Sequence, residues 1–292
     1  MGMLTSLEIG RRITAFREIE DIVGAMKAYA GIAIRKTGEL VINLREYEKS
    51  ISHAMAIIAA HDREAAQKMG YPSRGRRVLV ACGSSQGLCG PFNERMADAV
   101  SGELQDGDAL FVTGRKLRES LAARQIVPQY YAGSAASASG IQAALKEAVS
   151  RLIGIYGGRE FYRLAFIFMS VSGKRPQVLT EQVLPPDLDK FMSALQPRKN
   201  PPLLNLEAGR VFEKLIENLI FATLYRSYAE SLRSENWYRL QSMEGAAENL
   251  RKRIAGTEAL QRYVRQEEIT EEVLEVLQGE KPARKIFPET QP

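Results

Sequence analysis

The chain has 292 residues, 45% of them hydrophobic, which is length and apolar content enough for one large or two ordinary domains with a true core. Forty cations against thirty-five anions, net +5 and interspersed, describe a solvated surface and argue against a nucleic-acid partner. Two cysteines fit a reducing compartment, and no run approaches the 18 apolar residues of a spanning helix, so a soluble intracellular protein is expected, linked to a membrane only through partners.

Proline is absent from Met1 to Tyr71 and from Leu203 to Lys281, whereas nine prolines fall within the 131 residues from Pro72 to Pro202. A helix interior excludes proline, because the ring removes a donor and collides with the preceding turn. Two very long helices are therefore permitted, one at each end of the chain.

The first block carries an apolar series at Ile9, Ile13, Phe16, Ile19, Val23, Met26, Ala30, Ala33, Thr37, Leu40, Leu44, Tyr47, Ile51, Met55 and Ile58. Its spacings of three and four average about 3.5, the period that keeps one seam against a partner helix. Gly24, Gly31 and Gly38 interrupt it, each costing roughly 1 kcal/mol against alanine, which suggests close approach by another surface.

From Arg77 the texture changes. Val78–Cys82 is a short apolar strand, followed by the turn-rich Gly83–Pro91 and a helix-like stretch from Asn93 to Leu104. Ala109–Thr113 reads as a second strand with a helix after it, and Ile126–Tyr131 as a third, with a helix from Ile141 to Ile155. This alternation predicts a small parallel sheet with right-handed crossovers. Arg163–Val171 and Gln177–Leu184 close it as a hairpin, and residues 185–202, with five prolines, lead back to the terminal helix.

The last block repeats the seam at Val211, Leu215, Ala222, Tyr225, Ala229, Leu232, Asn236, Leu240, Met243, Ala247, Leu250, Ile254, Thr257, Leu260 and Val264. Helices of roughly 50 to 75 residues would reach about 75 to 110 Å, too long for one compact domain to bury. The two seams must satisfy each other, most simply as an antiparallel pair. Helices broken by glycine or asparagine turns are the alternative.

The expected organisation is a first shaft helix over 1–71, a Rossmann-like α/β domain over 72–202, a second shaft helix over 203–279 and a tail over 280–292. The fold class is thus a long antiparallel coiled coil of the terminal helices plus a small α/β domain.

Enzyme chemistry finds little support. Gly83-Ser-Ser-Gln-Gly87 matches the Gly-x-Ser-x-Gly pattern of a nucleophile elbow, but both histidines, His53 and His61, precede it, against the chain order that fold requires. The loop lacks the lysine of a phosphate cradle, and the two histidines, eight residues apart on a helix, make a poor metal pair. Cys89 reads as a small buried hydrophobe. No active site, cofactor or metal is expected.

Three segments carry a resemblance. Ser6-Leu-Glu-Ile-Gly-Arg-Arg-Ile13 with Ile22-Val-Gly-Ala-Met-Lys-Ala-Tyr-Ala30, then Ser84-Ser-Gln-Gly-Leu-Cys-Gly-Pro-Phe-Asn93 with Val112-Thr-Gly-Arg-Lys116, and finally Arg265-Gln-Glu-Glu-Ile-Thr-Glu-Glu272 are similar to segments of the gamma subunits of F-type ATP synthases. The resemblance spans nearly the whole chain in order and spacing. It implies a non-catalytic rotor, the central stalk that couples ion-driven rotation of the c ring to the conformational cycle of the catalytic beta subunits. Its implied partners are the hexamer of alpha and beta subunits, epsilon and the c ring, and its implied place is the cytoplasmic face of the bacterial inner membrane. By position, Met26 and Lys27 match residues facing the moving part of beta, while Arg239, Arg265, Gln266, Thr270 and Glu272 match residues touching the hexamer's catch and bearing regions.

The chain departs from the pattern at Arg262-Tyr-Val264, at Gly24 and Gly31, and in a basic extension after Gly279 that Pro282 should release from the helix; together these imply a divergent lineage. A non-rotary coiled-coil scaffold or chaperone is the alternative function.

Overall fold

A computed structural model describes residues 5–61, 76–157, 161–173, 175–187 and 203–280. The tail beyond Glu280, most of the proline-rich stretch 185–202 and the segment around Pro72 lie outside the described residues.

In chain order the elements are α1 (Ser6–His61), β1 (Arg76–Cys82), α2 (Phe92–Glu103), β2 (Ala109–Thr113), α3 (Arg115–Ala122), β3 (Tyr130–Ala132), a 3-10 turn (Ala138–Gly140), α4 (Ile141–Gly157), β4 (Phe161–Ser172), β5 (Arg175–Leu184) and α5 (Ala208–Glu280). Among the described residues each proline-free block thus holds one unbroken helix, of 56 and 73 residues. Over Ser6–His61 and Ala208–Glu280 no turn interrupts the helix.

Packing separates two units: the residues up to Lys27 with those from Met243 onward, and Ala28–Ser242. Within the first, α1 and α5 run antiparallel. The Ser6 amide donates to Glu268 at 2.9 Å, and Arg17–Glu258 and Arg251–Glu20 pair at 2.7 and 2.9 Å, one number rising as the other falls. In the second unit the same order continues, with Arg45–Glu230 and Arg226–Glu48 at 2.9 and 2.7 Å.

The seam departs from expectation at two slots. Ile19 and Tyr47 are exposed, and the seam positions beside them go to Glu20 and Glu48, which pair with Arg251 and Arg226 of α5. The physical reason is an ambiguity of period. Between Phe16 and Val23, and between Leu44 and Ile51, steps of four then three fit a 3.5-residue repeat as well as three then four. An acid facing an arginine decided the choice. On α5, Leu260 is likewise turned outward.

The second unit holds a five-stranded sheet in the order β3-β2-β1-β4-β5, parallel except for the antiparallel β4–β5 hairpin. The parallel strands β1 and β2 are buried on both faces, whereas the edge strand β5 keeps one face open. Val78, Val80 and Cys82 of β1 pack with Phe111, Phe166 and Phe168 towards α1, α4 and α5. Leu79 and Ala81 point the other way, onto Phe92, Met96 and Val100 of α2 and Leu117 and Leu121 of α3. The expected third strand is shorter and later than Ile126–Tyr131. Pro128 cannot donate to a ladder, and the Gln129 side chain accepts from the Leu110 amide instead, so pairing begins only at Tyr130.

Between Ala222 and Arg239, α5 is buried on nearly every side rather than along one stripe. There α1 covers one face and the sheet the other. The last β1–β4 pair is Ala81 with Ile167, while β4 continues to Ser172, leaving backbone groups of Met169 beyond the end of β1. Two serines of α5 take them up: Ser234 Oγ donates to the Met169 carbonyl at 2.8 Å, and Ser231 Oγ accepts from its amide at 3.4 Å while donating to the Cys82 carbonyl at 2.8 Å. Strand order reverses at β1/β4, the crevice where doubly wound sheets bind ligands. In this chain a helix occupies it.

Candidate functional site

The functional surfaces follow from what each unit leaves outward. In the first unit, Ile9, Ile13 and Val23 of α1 are buried in the seam. Beyond Met243, however, α5 exposes Tyr263, Ile269, Val273, Leu274, Val276 and Leu277, and α1 exposes Leu7 and Ile22. Val276 is 66% and Leu7 68% exposed, so the helix pair does not bury its own apolar content. At about 25 cal/mol per Å², a surface of this composition gains by being covered and marks an interaction site.

The residues expected from the sequence fall into two groups. Met26 is half-buried beside the seam, and Lys27 reaches across to Glu244 at 3.2 Å, both side chains about half exposed. Arg265, Gln266, Thr270 and Glu272 all stand exposed on the same stretch of α5 as the uncovered apolar residues. Thr270 Oγ1 donates to the Gln266 carbonyl one turn back at 2.8 Å, which ties that hydroxyl to its own helix. These six lie in the first unit and share it with the apolar surface.

Arg239 belongs to the second unit and is only 2% exposed. Its guanidinium pairs with Glu235 at 2.5 Å, donates to Asn236 Oδ1 at 2.8 Å and reaches the Gly87 carbonyl at 3.3 Å. It therefore holds the β1–α2 loop onto α5. Burial pushes the Glu235 carboxyl up to about 7, against the opposing pull of Arg239. Inside the loop, Asn93 Oδ1 accepts from the Ser84 amide and Asn93 Nδ2 donates to Ser84 Oγ at 2.8 Å. Cys89 packs against this pair, and burial raises its thiol above the ordinary value, consistent with an inert sulfur.

A second buried charge cluster was not singled out by the sequence. Arg226 Nε donates to Glu48 of α1 at 2.7 Å, Nη1 to Glu230 at 3.2 Å and Nη2 to Glu181 of β5. Burial is the largest single influence and works against its charge, but the charges of Glu48 and Glu181 and their hydrogen bonds together outweigh it and hold its pKa above the ordinary value. Arg45 of α1 closes the group by pairing with Glu230. The available signal was an Arg–Glu pair at 226 and 230 within an otherwise uncharged helix segment, opposite Arg45 and Glu48.

Ser85, the serine of the Gly-x-Ser-x-Gly pattern, meets the Ser134 hydroxyl at 2.8 Å rather than an imidazole. Among the described residues there is no cluster of histidine, cysteine and carboxylate side chains suited to a metal.

Comparison with known proteins gives this arrangement its context. The sequence pattern of the ATP synthase family matches residues 5–281. The ATP synthase gamma chain of Heliobacterium modesticaldum is 27% identical over 287 residues, covering 93% of this chain and 97% of its own, and that of Bdellovibrio bacteriovorus is 26% identical over 293 residues, covering 95% and 98%. The chain belongs to the ATP synthase gamma-chain family. Gamma chains are the non-catalytic central-stalk rotor of the enzyme. Among solved structures, the rotor of the Euglena gracilis mitochondrial ATP synthase matches with a TM-score of 0.59 at 14% identity, over 90% of this chain and 98% of its own. The central stalk of the Tetrahymena thermophila mitochondrial enzyme matches with a TM-score of 0.58 at 18% identity, over 77% and 99%. As a peripheral component this gamma chain has, among its described residues, no helix long and apolar enough to cross a membrane.

Proposed function

We propose that this gamma chain turns as a rotor within a hexamer of three alpha and three beta subunits, beside an epsilon subunit and on a c ring, at the cytoplasmic face of a bacterial plasma membrane. The observation that carries the proposal is the uncovered apolar surface of the first unit, where Leu7, Ile22, Ile269, Val273 and Val276 stand outward on a helix pair that already has its seam. A hexamer bore lined with apolar side chains covers such a surface without fixing it in one orientation, because the hydrophobic effect is non-directional. Met26 belongs with this apolar surface, while the polar residues Lys27, Arg265, Gln266, Thr270 and Glu272 on the same helices supply the orientation-dependent contacts. Arg239 contributes through the loop it holds. Differential contact with alternative beta states is what lets rotation shift an equilibrium at a remote nucleotide site.

Affinity capture of the chain from its native membranes, with mass identification, tests this. One copy per three alpha and three beta chains, with epsilon and c, is expected; recovery as a free homo-oligomer without them would sink the rotor and favour a scaffold. Within that complex, Lys27→Glu places two acids together at the Glu244 contact and reverses the charge offered to beta. Ions moved per ATP hydrolysed are expected to fall about 3-fold or more, with assembly nearly unchanged, because an exposed pair adds only about 0–1 kcal/mol to stability. An unaltered ratio would remove Lys27 from the coupling surface.

A further inference from the structure

The Arg226 cluster joins three elements of the second unit at one guanidinium, with Glu48 from α1, Glu181 from β5 and Glu230 from α5 itself, and the guanidinium also lies 5.3 Å from the Phe168 ring of β4. We propose that Arg226 is a positioning residue for rotation: it locks α5 against turning about its own axis relative to α1 and the sheet, so that torque passes between them without slip. The proposal rests on the rotor function above.

Stability does not account for the cluster. Buried ion pairs are often no more stabilising than apolar groups of the same volume, since desolvation offsets the Coulomb gain. This one also leaves Glu48 Oε1 and Glu230 Oε2 buried without a hydrogen-bond partner. Three carboxylates against one buried guanidinium, with Arg45 reached only at the rim, is a poor arrangement for holding a core together.

Directionality does account for it. Around the cluster the α1–α5 seam is made of Leu44, Ile51, Ala222 and Ala229, apolar side chains whose burial favours no direction of its own. A planar guanidinium is different: its N–H groups point in fixed directions, and bonds weaken steeply as donors and acceptors move out of line. Here Nε is taken by Glu48 of α1 and Nη2 by Glu181 of β5, while Glu230, one turn along α5 itself, holds Nη1 and fixes the plane of the fork. Turning α5 away from its present position therefore breaks the bonds to both neighbouring elements. Ser231 and Ser234, which bond the ends of β1 and β4 on the next turns, add to the same restraint.

The test uses the purified complex containing this chain, placed in sealed vesicles, and measures ATP hydrolysis and ion movement together. Glu48→Gln with Arg226→Met removes the guanidinium and one carboxylate while keeping the Arg45–Glu230 pair and the packed volume. Assembly and hydrolysis are expected to stay within about 2-fold, while ions moved per ATP fall several-fold; Arg226→Lys, which keeps the charge but not the fork, should fall in between. A merely structural cluster would lower the amount of complex and leave the ratio untouched, and that result would overturn the proposal. Should the double variant fail to assemble, Glu181→Gln decides, because it removes only the half-exposed β5 partner: a drop of about 2-fold in the ratio supports the lock and an unchanged ratio overturns it. Failure of the wild-type chain to occur in such a complex would instead defeat the rotor function itself.

Discussion

Gly114→Ala is expected to destabilise the second unit by at least about 3 kcal/mol, the sum of a backbone cost of about 1–3 kcal/mol and an overlap that nothing nearby can relieve. Gly114 sits at φ +88° between β2 and α3, a conformation that side chains rarely adopt. A Cβ there would lie 2.6 Å from the Ser84 carbonyl oxygen and 2.7 Å from the Gly83 carbonyl, all of it backbone. That backbone cannot retreat. Ser84 accepts from the Lys116 amide and the Gly83 amide donates to the Thr113 carbonyl, so the ends of β1 and β2 are tied together where the methyl would enter. Urea unfolding of the full chain, followed through its single tryptophan, Trp237 beside Tyr238 in this unit, measures the loss. Gly31→Ala is the control: nothing lies within 4 Å of its added carbon, and a gain of up to about 1 kcal/mol is expected from helix propensity alone. Equal midpoints for wild type and Gly114→Ala would show that the loop is not held as described.

Arg239→Ala is expected to cost about 3–5 kcal/mol at pH 8, because it leaves Glu235 buried without its partner, to be held either charged or protonated against the solution pH, and frees the Gly87 carbonyl. The loss should depend on pH. Burial raises the folded-state pKa of Glu235 to about 7, above its ordinary 4.5, so the folded chain keeps a proton that the unfolded chain releases between those values. That contribution is complete below pH 4.5 and is lost as pH rises through 7, so stability falls with pH across the window. Removing Arg239 removes the group that opposes the upward shift. Glu235 then stays neutral to higher pH, and the deficit of the variant should shrink near pH 5 and widen near pH 8. Thermal unfolding of both proteins at the two pH values checks this, and a deficit of the same size at each would contradict a buried, pH-dependent pair. Glu235→Gln, which cannot titrate, should flatten the slope of the otherwise normal chain.

Much of this architecture could be anticipated, and where it could not the reasons differ. Exclusion of proline marked out both long helices, and apolar runs between turn-rich stretches marked four of the five strands within a few residues. The third strand was misplaced because Ile126 and Val127 look like strand residues, while Pro128 decides where a ladder can start. Ile19 and Tyr47 fit the seam by period, because an apolar residue is the default for a buried slot; Glu20 and Glu48 displace them through partners more than 170 residues away. The terminal signature 265–272 pointed to an exposed stretch of helix, whereas Arg239, in a helix turn that looks no different in sequence, is closed inside the chain.

What the sequence determined by itself was local: the type, order and length of the elements, because proline, glycine and side-chain period act over a few residues of backbone. The tertiary structure alone decided which faces of α5 are covered, since Ser231, Ser234, Arg226 and Arg239 acquire their partners only when the ends of β1 and β4, the β1–α2 loop and α1 close around that helix. A polar residue in a helix has the same local preference whether it meets water or a distant carbonyl. Only packing between remote segments tells the two apart.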